Sequence, residues 1–286
     1  MSRGYFRRYE NELQQSGTYT DMEGTTNPVG GVQMGQTFLN TPIEEVIYLM
    51  LHTDQAPRIT GTGTCVDANG VQVTTGGCVE IGNSLSNGEW VWTTQKGTKP
   101  LTQFSWSSFD GVVIDDLVPT AGSGATYNYT TTETYTKDST YNMEFPGFVY
   151  DSKYRVYARP TFYWREPYYW GVTALTQADW EAMSAAGTID WTYLKGEGFQ
   201  KEMAIEQPAQ VVKDFTTNVQ RAVFLCPPSW TPFPSIFNQY TQEVLTTFRT
   251  TTVKVTNEFG ITLNYTAFIS VNATKGSFTN YFKKSK

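Results

Sequence analysis

The sequence predicts a mainly β protein: an immunoglobulin-like β-sandwich plus a second β domain, with two short helices. Three observations predict it. Of the 286 residues 43 are threonine and 15% are aromatic, and Thr, Tyr, Phe, Trp and Val are the residues that fit a pleated, half-buried surface. Good helix formers such as Leu, Lys and Ala are modest in number. Short runs of period two recur between turn signals along much of the chain. The length allows about two domains with real cores.

Residues 1–27 are polar, carry Arg3, Tyr5, Phe6, Arg7, Arg8 and Tyr9, and show no period. They read as an extended arm, ordered only where another subunit receives it. Residues 28–54 hold a Gly-rich turn region and a docking helix. Thr41 is its N-cap, Pro42 sits at N1 and Glu44 completes a capping box. Ile43, Val46, Ile47, Met50 and Leu51 then share one face, and so short a helix holds in water only if that stripe docks on the second β domain or a neighbouring subunit.

Residues 55–144 alternate in short runs broken at Asp67 to Gly70, Gly76-Gly77, Asn87-Gly88, Lys96-Gly97 and Gly122 to Gly124, the spacing of a sandwich. Trp90 and Trp92 fall on one face of a strand there, Val91 and Thr93 on the other. Residues 145–286 form the aromatic-rich second β domain, with a short helix over 176–186. Thr176 and Asp179 pair at its N-cap and N3, Trp180 and Met183 give its apolar face, and Gly187 ends it. Strands follow at 222–225, 250–256 and 262–270, the last two joined by the turn Asn257-Glu258-Phe259-Gly260, and a final strand spans 276–283.

Composition excludes several function classes. A net charge of −6 argues against a nucleic-acid partner, which needs a basic stripe. The two small basic clusters, Arg3 with Arg7 and Arg8, and Lys283 with Lys284 and Lys286, read as solvated ends or subunit contacts. No apolar leader core and no window of about 18 apolar residues predicts secretion or membrane insertion, so the sequons at Asn128, Asn264 and Asn272 carry little weight. Cys65, Cys78 and Cys226 match no zinc spacing. They read as buried free thiols, or as a Cys65–Cys78 pair across a hairpin through Asn69-Gly70.

The single histidine, His52, reads as a helix C-terminal cap in preference to a catalytic base, and its being alone removes most His-based nucleophilic catalysis and any multi-histidine metal site. Gly61 to Thr64 lacks the lysine of a phosphate loop. Asp67 to Gly70 opens like a calcium loop but has Cys78 where the bidentate glutamate belongs. No metal and no cofactor is therefore expected. A glycosidase needs two carboxylates at a set separation. Asp115 with Asp116, or Glu144, Asp151 and Glu166, are the candidates, beside the plainer reading that they are surface-turn acids.

Two aromatic segments are candidate interface or glycan contacts. In the first, Phe162, Tyr163, Trp164, Tyr168, Tyr169 and Trp170 form a sugar platform, an inter-domain core or a subunit interface, with the last two favoured. In the second, four prolines between Cys226 and Gln239 hold Trp230, Phe233, Ile236 and Phe237 outward or inward, and an exposed patch of that kind marks a partner surface.

Two stretches resemble bacteriophage virion proteins. VGGVQMGQTFLNTPIEEVIYLMLHTDQAPRITG followed by CVEIGNS is similar to a pattern of VGG turn, short amphipathic helix and an E-[IV]-G-[NT]-S strand entering an Ig-like sheet. AVFLCPPSWTPFPSIFNQ followed by VKVTNEFGITLNYTAFIS resembles the ending of the same proteins, where a V-x-V-T-N-x-x-G hairpin closes the chain. Trp170-Gly171 fits their Y-[YW]-G position, whereas the Arg- and Tyr-rich arm and Cys226 depart from the pattern. The resemblance implies a non-enzymatic structural protein of a tailed phage, in the tail, baseplate, neck or a fibre-like appendage. It implies a homo-oligomer touching other virion proteins, made in the bacterial cytoplasm and located in the virion, with no catalytic residues to carry over. The alternative expectation is a carbohydrate-binding receptor adhesin at a fibre tip, contacting host surface glycan.

Overall fold

The computed structural model describes residues 55–107, 113–119 as backbone, and 124–284. Among them the protein is mainly β, with strands in several sheets, two short α-helices and one 3-10 turn (Leu245–Thr247). This is the sandwich-type, mainly β class that the composition predicts. The predicted helix carrying Ile43, Val46, Ile47, Met50 and Leu51, the N-terminal arm and His52 lie outside the described residues. Among the described residues no helix is long and apolar enough to cross a membrane.

The chain divides into two compact units that interleave along the sequence. Among the described residues one takes 55–62, 91–107, 113–119, 124–128 and 145–159, and the other 63–90, 129–144 and 160–284. Three of the five divisions fall inside strands, β1 (Arg58–Asp67), β4 (Ser84–Gln95) and β7 (Thr126–Thr131), and β8 (Tyr135–Thr136) pairs with β4.

In the first unit β5 (Leu101–Ser107), β6 (Val113–Pro119), β10 (Gly147–Asp151) and β11 (Arg155–Ala158) form an antiparallel sheet in the order β11-β10-β5-β6. Its core is aromatic. Trp92 is fully buried, as the alternation in EWVWTT requires, and stacks on Trp106 at 5.8 Å. Phe104 packs on Trp92 at 6.0 Å and stacks on Tyr127 at 3.9 Å. Gly147 is glycine because the Trp92 ring occupies the place of its side chain: a Cβ there would lie 2.5 Å from Trp92 Cδ1.

The second unit has a three-stranded sheet in which β12 (Thr161–Arg165) lies between β3 (Cys78–Glu80), parallel to it, and β9 (Tyr141–Glu144), antiparallel. β2 (Gln72–Thr74) returns along β1 across the predicted turn, where Asp67 Oδ1 accepts from the Asn69 and Val71 amides at 2.9 and 2.8 Å. That hairpin sets Cys65 opposite Val73, and Cys78 lies one sheet away beside Tyr163, so the two cysteines do not face each other. All three are free thiols. Asn87-Gly88, expected as a turn, lies inside β4, where Asn87 takes φ 51° and Gly88 leaves room for the Trp90 ring.

The remaining strands of this unit are β13 (Tyr168–Thr173), β14 (Gln200–Glu202), β15 (Gln210–Cys226), β16 (Ser235–Asn238), β17 (Phe248–Thr256), β18 (Thr262–Ser270) and β19 (Thr274–Lys283), in the order β14-β13-β15-β18-β17, with β19 pairing β15 and β16. β15 is far longer than its predicted core of 222–225. It pairs with β19 up to Gln220, and from Arg221 it pairs with β13, then β18. The switch occurs at a bulge where Val219 adopts φ 58°, a backbone region that β-branched residues seldom enter. Residues 210–218 alternate inward and outward as a half-buried strand should, but Lys213 and Thr217 stand at inward positions and mask the pattern in the sequence.

Helix α1 (Gln177–Ala186) starts and stops as predicted. The Thr176 and Asp179 side chains cap each other's backbone amides, and Gly187 closes the helix at φ 67°. It lies along β17, where Ser184 Oγ accepts from the Lys254 amide at 2.8 Å and the Ile189 carbonyl accepts from Thr256 at 2.9 Å. Those bonds occupy edge amides that would otherwise invite another strand. Helix α2 (Trp191–Gly196), capped by Asp190, has no counterpart in the prediction because six residues hold too little periodicity.

Because the Trp92 ring fills the space over Gly147, Gly147→Ala should destabilise the protein by about 1–3 kcal/mol through overpacking. Urea unfolding followed by tryptophan fluorescence measures this, and an unchanged midpoint would refute the packing described.

Candidate functional site

The predicted aromatic contacts are mostly interior. Trp164 and Tyr169 are fully buried and Tyr168 nearly so. Trp164 Nε1 donates to the Asn83 carbonyl at 2.9 Å. Only Trp170 keeps part of its ring outside, and Lys213 Nζ sits 3.5 Å from its centroid. Three of the four rings are thus closed to a ligand: Trp164 is buried on β12, and Tyr168 and Tyr169 enter cores on the two faces of β13. The proline-rich loop also folds inward. Trp230, Phe233 and Ile236 are buried against Phe224 and Phe282, and Phe237 is half-buried beneath Lys283.

What the structure brings together instead is the pair of segments 80–84 and 257–261. Glu80, buried to 3% exposure, receives Lys201 Nζ on Oε2 at 2.5 Å, and the same ammonium reaches Glu258 Oε2 at 2.6 Å. Lys201 also lies 4.6 Å from the Trp191 ring centroid. Asn257 is buried and uses its whole amide: Oδ1 accepts from Phe259 and Ile261 at 3.0 and 2.8 Å, and Nδ2 donates to the Ile81 carbonyl at 2.8 Å. Gly82 takes φ 85°, and a Cβ there would lie 2.7 Å from that of Phe259. No local spacing announces this cluster, because Glu80 and Lys201 are 121 positions apart.

Burial pushes the Glu80 carboxyl above its usual range and outweighs the lowering by Lys201. In a second cluster, Lys213 Nζ meets Glu202 Oε2 at 2.8 Å and Tyr168 donates to the same oxygen. Burial raises the Glu202 carboxyl, but these two hydrogen bonds overcome it and hold it below the usual range. Both lysines are ion-paired and lie over aromatic rings. Each thus braces a carboxylate against an aromatic wall.

Of the carboxylates singled out for glycosidase chemistry, two are held by backbone amides. Asp151 Oδ1 accepts from the Lys153 and Tyr154 amides at 2.7 and 2.6 Å, and Glu166 Oε2 from the Ser229 amide at 2.9 Å. Glu144 lies on β9, and Asp115 and Asp116 on β6, whose side chains lie outside the description. Among the described residues no three of His, Cys, Asp and Glu gather as a metal site. Open clefts of about 610 Å³ flank the cluster at Trp191 and Glu258, and Arg165 at Asn142 and Trp230. Arg165 there binds the Ile205, Tyr141 and Trp164 carbonyls and Asn142 Oδ1, leaving little of its fork for a ligand.

Compared with known proteins, the chain matches no family model, no curated protein and no solved structure.

Lys201→Met would leave Glu80 buried without its cation. The expected loss is on the order of 3 kcal/mol near neutral pH, toward the low end for a broken buried pair because Lys201 keeps 20% of its side chain in solvent. The sign with pH follows from linkage. A carboxyl raised on folding favours the native state below its unfolded pKa, and that contribution is lost as pH rises through the folded value. Without Lys201 the shift grows, so the variant should lose more stability at pH 8 than at pH 4. Equal losses at both would show that Glu80 does not feel Lys201.

Proposed function

We propose that this chain is a non-enzymatic structural component of a tailed bacteriophage virion. In this reading it assembles as a homo-oligomer in the tail, baseplate, neck or an appendage, against other virion proteins. The observation that supports the reading is the interlock of its two resemblance-bearing segments. CVEIGNS contributes Glu80, Ile81 and Gly82, and the V-x-V-T-N-x-x-G hairpin contributes Asn257, Glu258 and Phe259. The bonds between them join a side chain of one segment to the backbone of the other, and Gly82 seats Phe259. A pattern whose residues meet in order to join sheets is what a scaffold requires, whereas an enzyme's signature residues converge on an open reacting centre.

Gly171, in the third such segment, fits the same reading, since its missing side chain admits the Phe199 ring at 2.6 Å from where a Cβ would stand. The roles of all these positions are packing and capping.

The test is mass and shape in solution, by light scattering coupled to gel filtration, together with the protein content of purified virions. The expected result is one defined oligomer and the chain present in the particle at a constant copy number. A monodisperse monomer that is missing from purified virions would overturn the proposal.

A further inference from the structure

The outward face of β10 and β11 carries a feature that neither the core nor the interlock uses. Along these strands Gly147, Val149 and Asp151 turn inward and are buried, so Phe148 and Tyr150 stand on the opposite face. The register sets Tyr157 across from Phe148 and Arg155 across from Tyr150. The side chains form one row. Arg159 lies 4.5 Å from the Tyr157 centroid, Tyr157 is 6.1 Å from Phe148, and the Arg155 guanidinium sits 4.3 Å over Phe148 and 5.5 Å over Tyr150. Tyr157 is 54% exposed, and Arg155 is exposed as well. Residues 145–159 contain three cations, Lys153, Arg155 and Arg159, against one acid, Asp151. That acid is buried and its Oδ1 accepts two backbone amides.

We propose that this face binds an acidic polysaccharide whose sugars carry carboxylates. A guanidinium held 4.3 Å over the Phe148 ring is restrained there, and it keeps N–H groups for a planar oxyanion. Among the described residues those of Arg155 meet no acceptor. Beside it, the Tyr157 ring, 54% exposed although Arg159 lies over one side of it, offers apolar surface of the kind that covers a pyranose. A uronic acid unit uses both features, whereas an acidic peptide needs only the guanidinium. Single-stranded nucleic acid fits less well. Its bases need free rings to stack on, yet the Phe148 and Tyr150 faces are covered by Arg155. The proposal stands apart from the assembly reading and does not require it.

Titration calorimetry of the full chain with alginate oligosaccharide, neutral dextran and oligo(dT), all at physiological salt, tests this. The expected result is binding to alginate alone. Arg155→Ala and Tyr157→Ala should each weaken it at least about tenfold, and Arg155→Lys, which keeps the charge but loses the fork, should weaken it less than Arg155→Ala. Near-ultraviolet circular dichroism confirms that each variant keeps the parent's packing. No alginate binding, binding unchanged by Arg155→Ala, or dextran or oligo(dT) binding as tightly as alginate would each overturn it.

Discussion

Residues 222–226, the end of β15, are buried on both faces, and the second unit is organised around that constraint. A strand alternates its side chains, so a run without a solvent face must be covered twice. Ala222, Phe224 and Cys226 enter one cluster, where Phe224 stacks on Phe282 at 4.4 Å and meets Phe233, Phe268 and Tyr168. Val223 and Leu225 enter the other, with Tyr169, Trp180, Val253, Val255 and Tyr265. At about 1.5–3 kcal/mol for each large apolar side chain fully buried, either face alone would matter greatly. The rest follows from covering both. The proline-rich loop and β19 close one side, and α1, α2 and Phe199 close the other. Cys226 belongs to this wall; burial, aided by Glu166, pushes its thiol up to about 12, so it packs as a small apolar group.

The same demand explains why aromatic residues concentrate between Phe162 and Trp170. β12 and β13 follow each other across Glu166 and Pro167, and each presents rings to a core. The Tyr265 hydroxyl donates to the Pro167 carbonyl at 2.9 Å, satisfying a polar group that the junction buries. Charged braces complete the closure. Lys201 and Lys213 each carry a carboxylate on one side and an aromatic ring on the other, an arrangement that keeps a cation compatible with an otherwise apolar wall.

Where structure is set by neighbours in sequence it was legible. Thr176, Asp179 and Gly187 mark α1, Asn257 to Gly260 mark a turn, and Trp90 with Trp92 mark a strand, all by short-range rules of capping, turn formation and alternation. The boundaries of β15 were not legible, since Lys213 looks like a solvent residue until Glu202 and Trp170 are brought to it. The inward folding of Trp230 and Phe233 was hidden for a similar reason: four prolines predict an extended loop but not the ring cluster that receives it. The Glu80–Lys201–Glu258 cluster joins three separate segments and leaves no local trace, although two of its members sit in stretches that resemblance singles out. The row from Arg159 to Tyr150 left no trace either, since it depends on a register that only the folded sheet supplies.

The doubly covered strand is tested most directly by native-state hydrogen exchange. If residues 222–226 form the shared wall, their amides exchange only through global unfolding. They should then be the slowest in the second unit, with a common opening free energy equal to the stability measured by denaturant. Exchange of these amides as fast as that of the exposed β1–β2 hairpin would contradict the account, because a strand that opens locally cannot be the surface on which both cores rest.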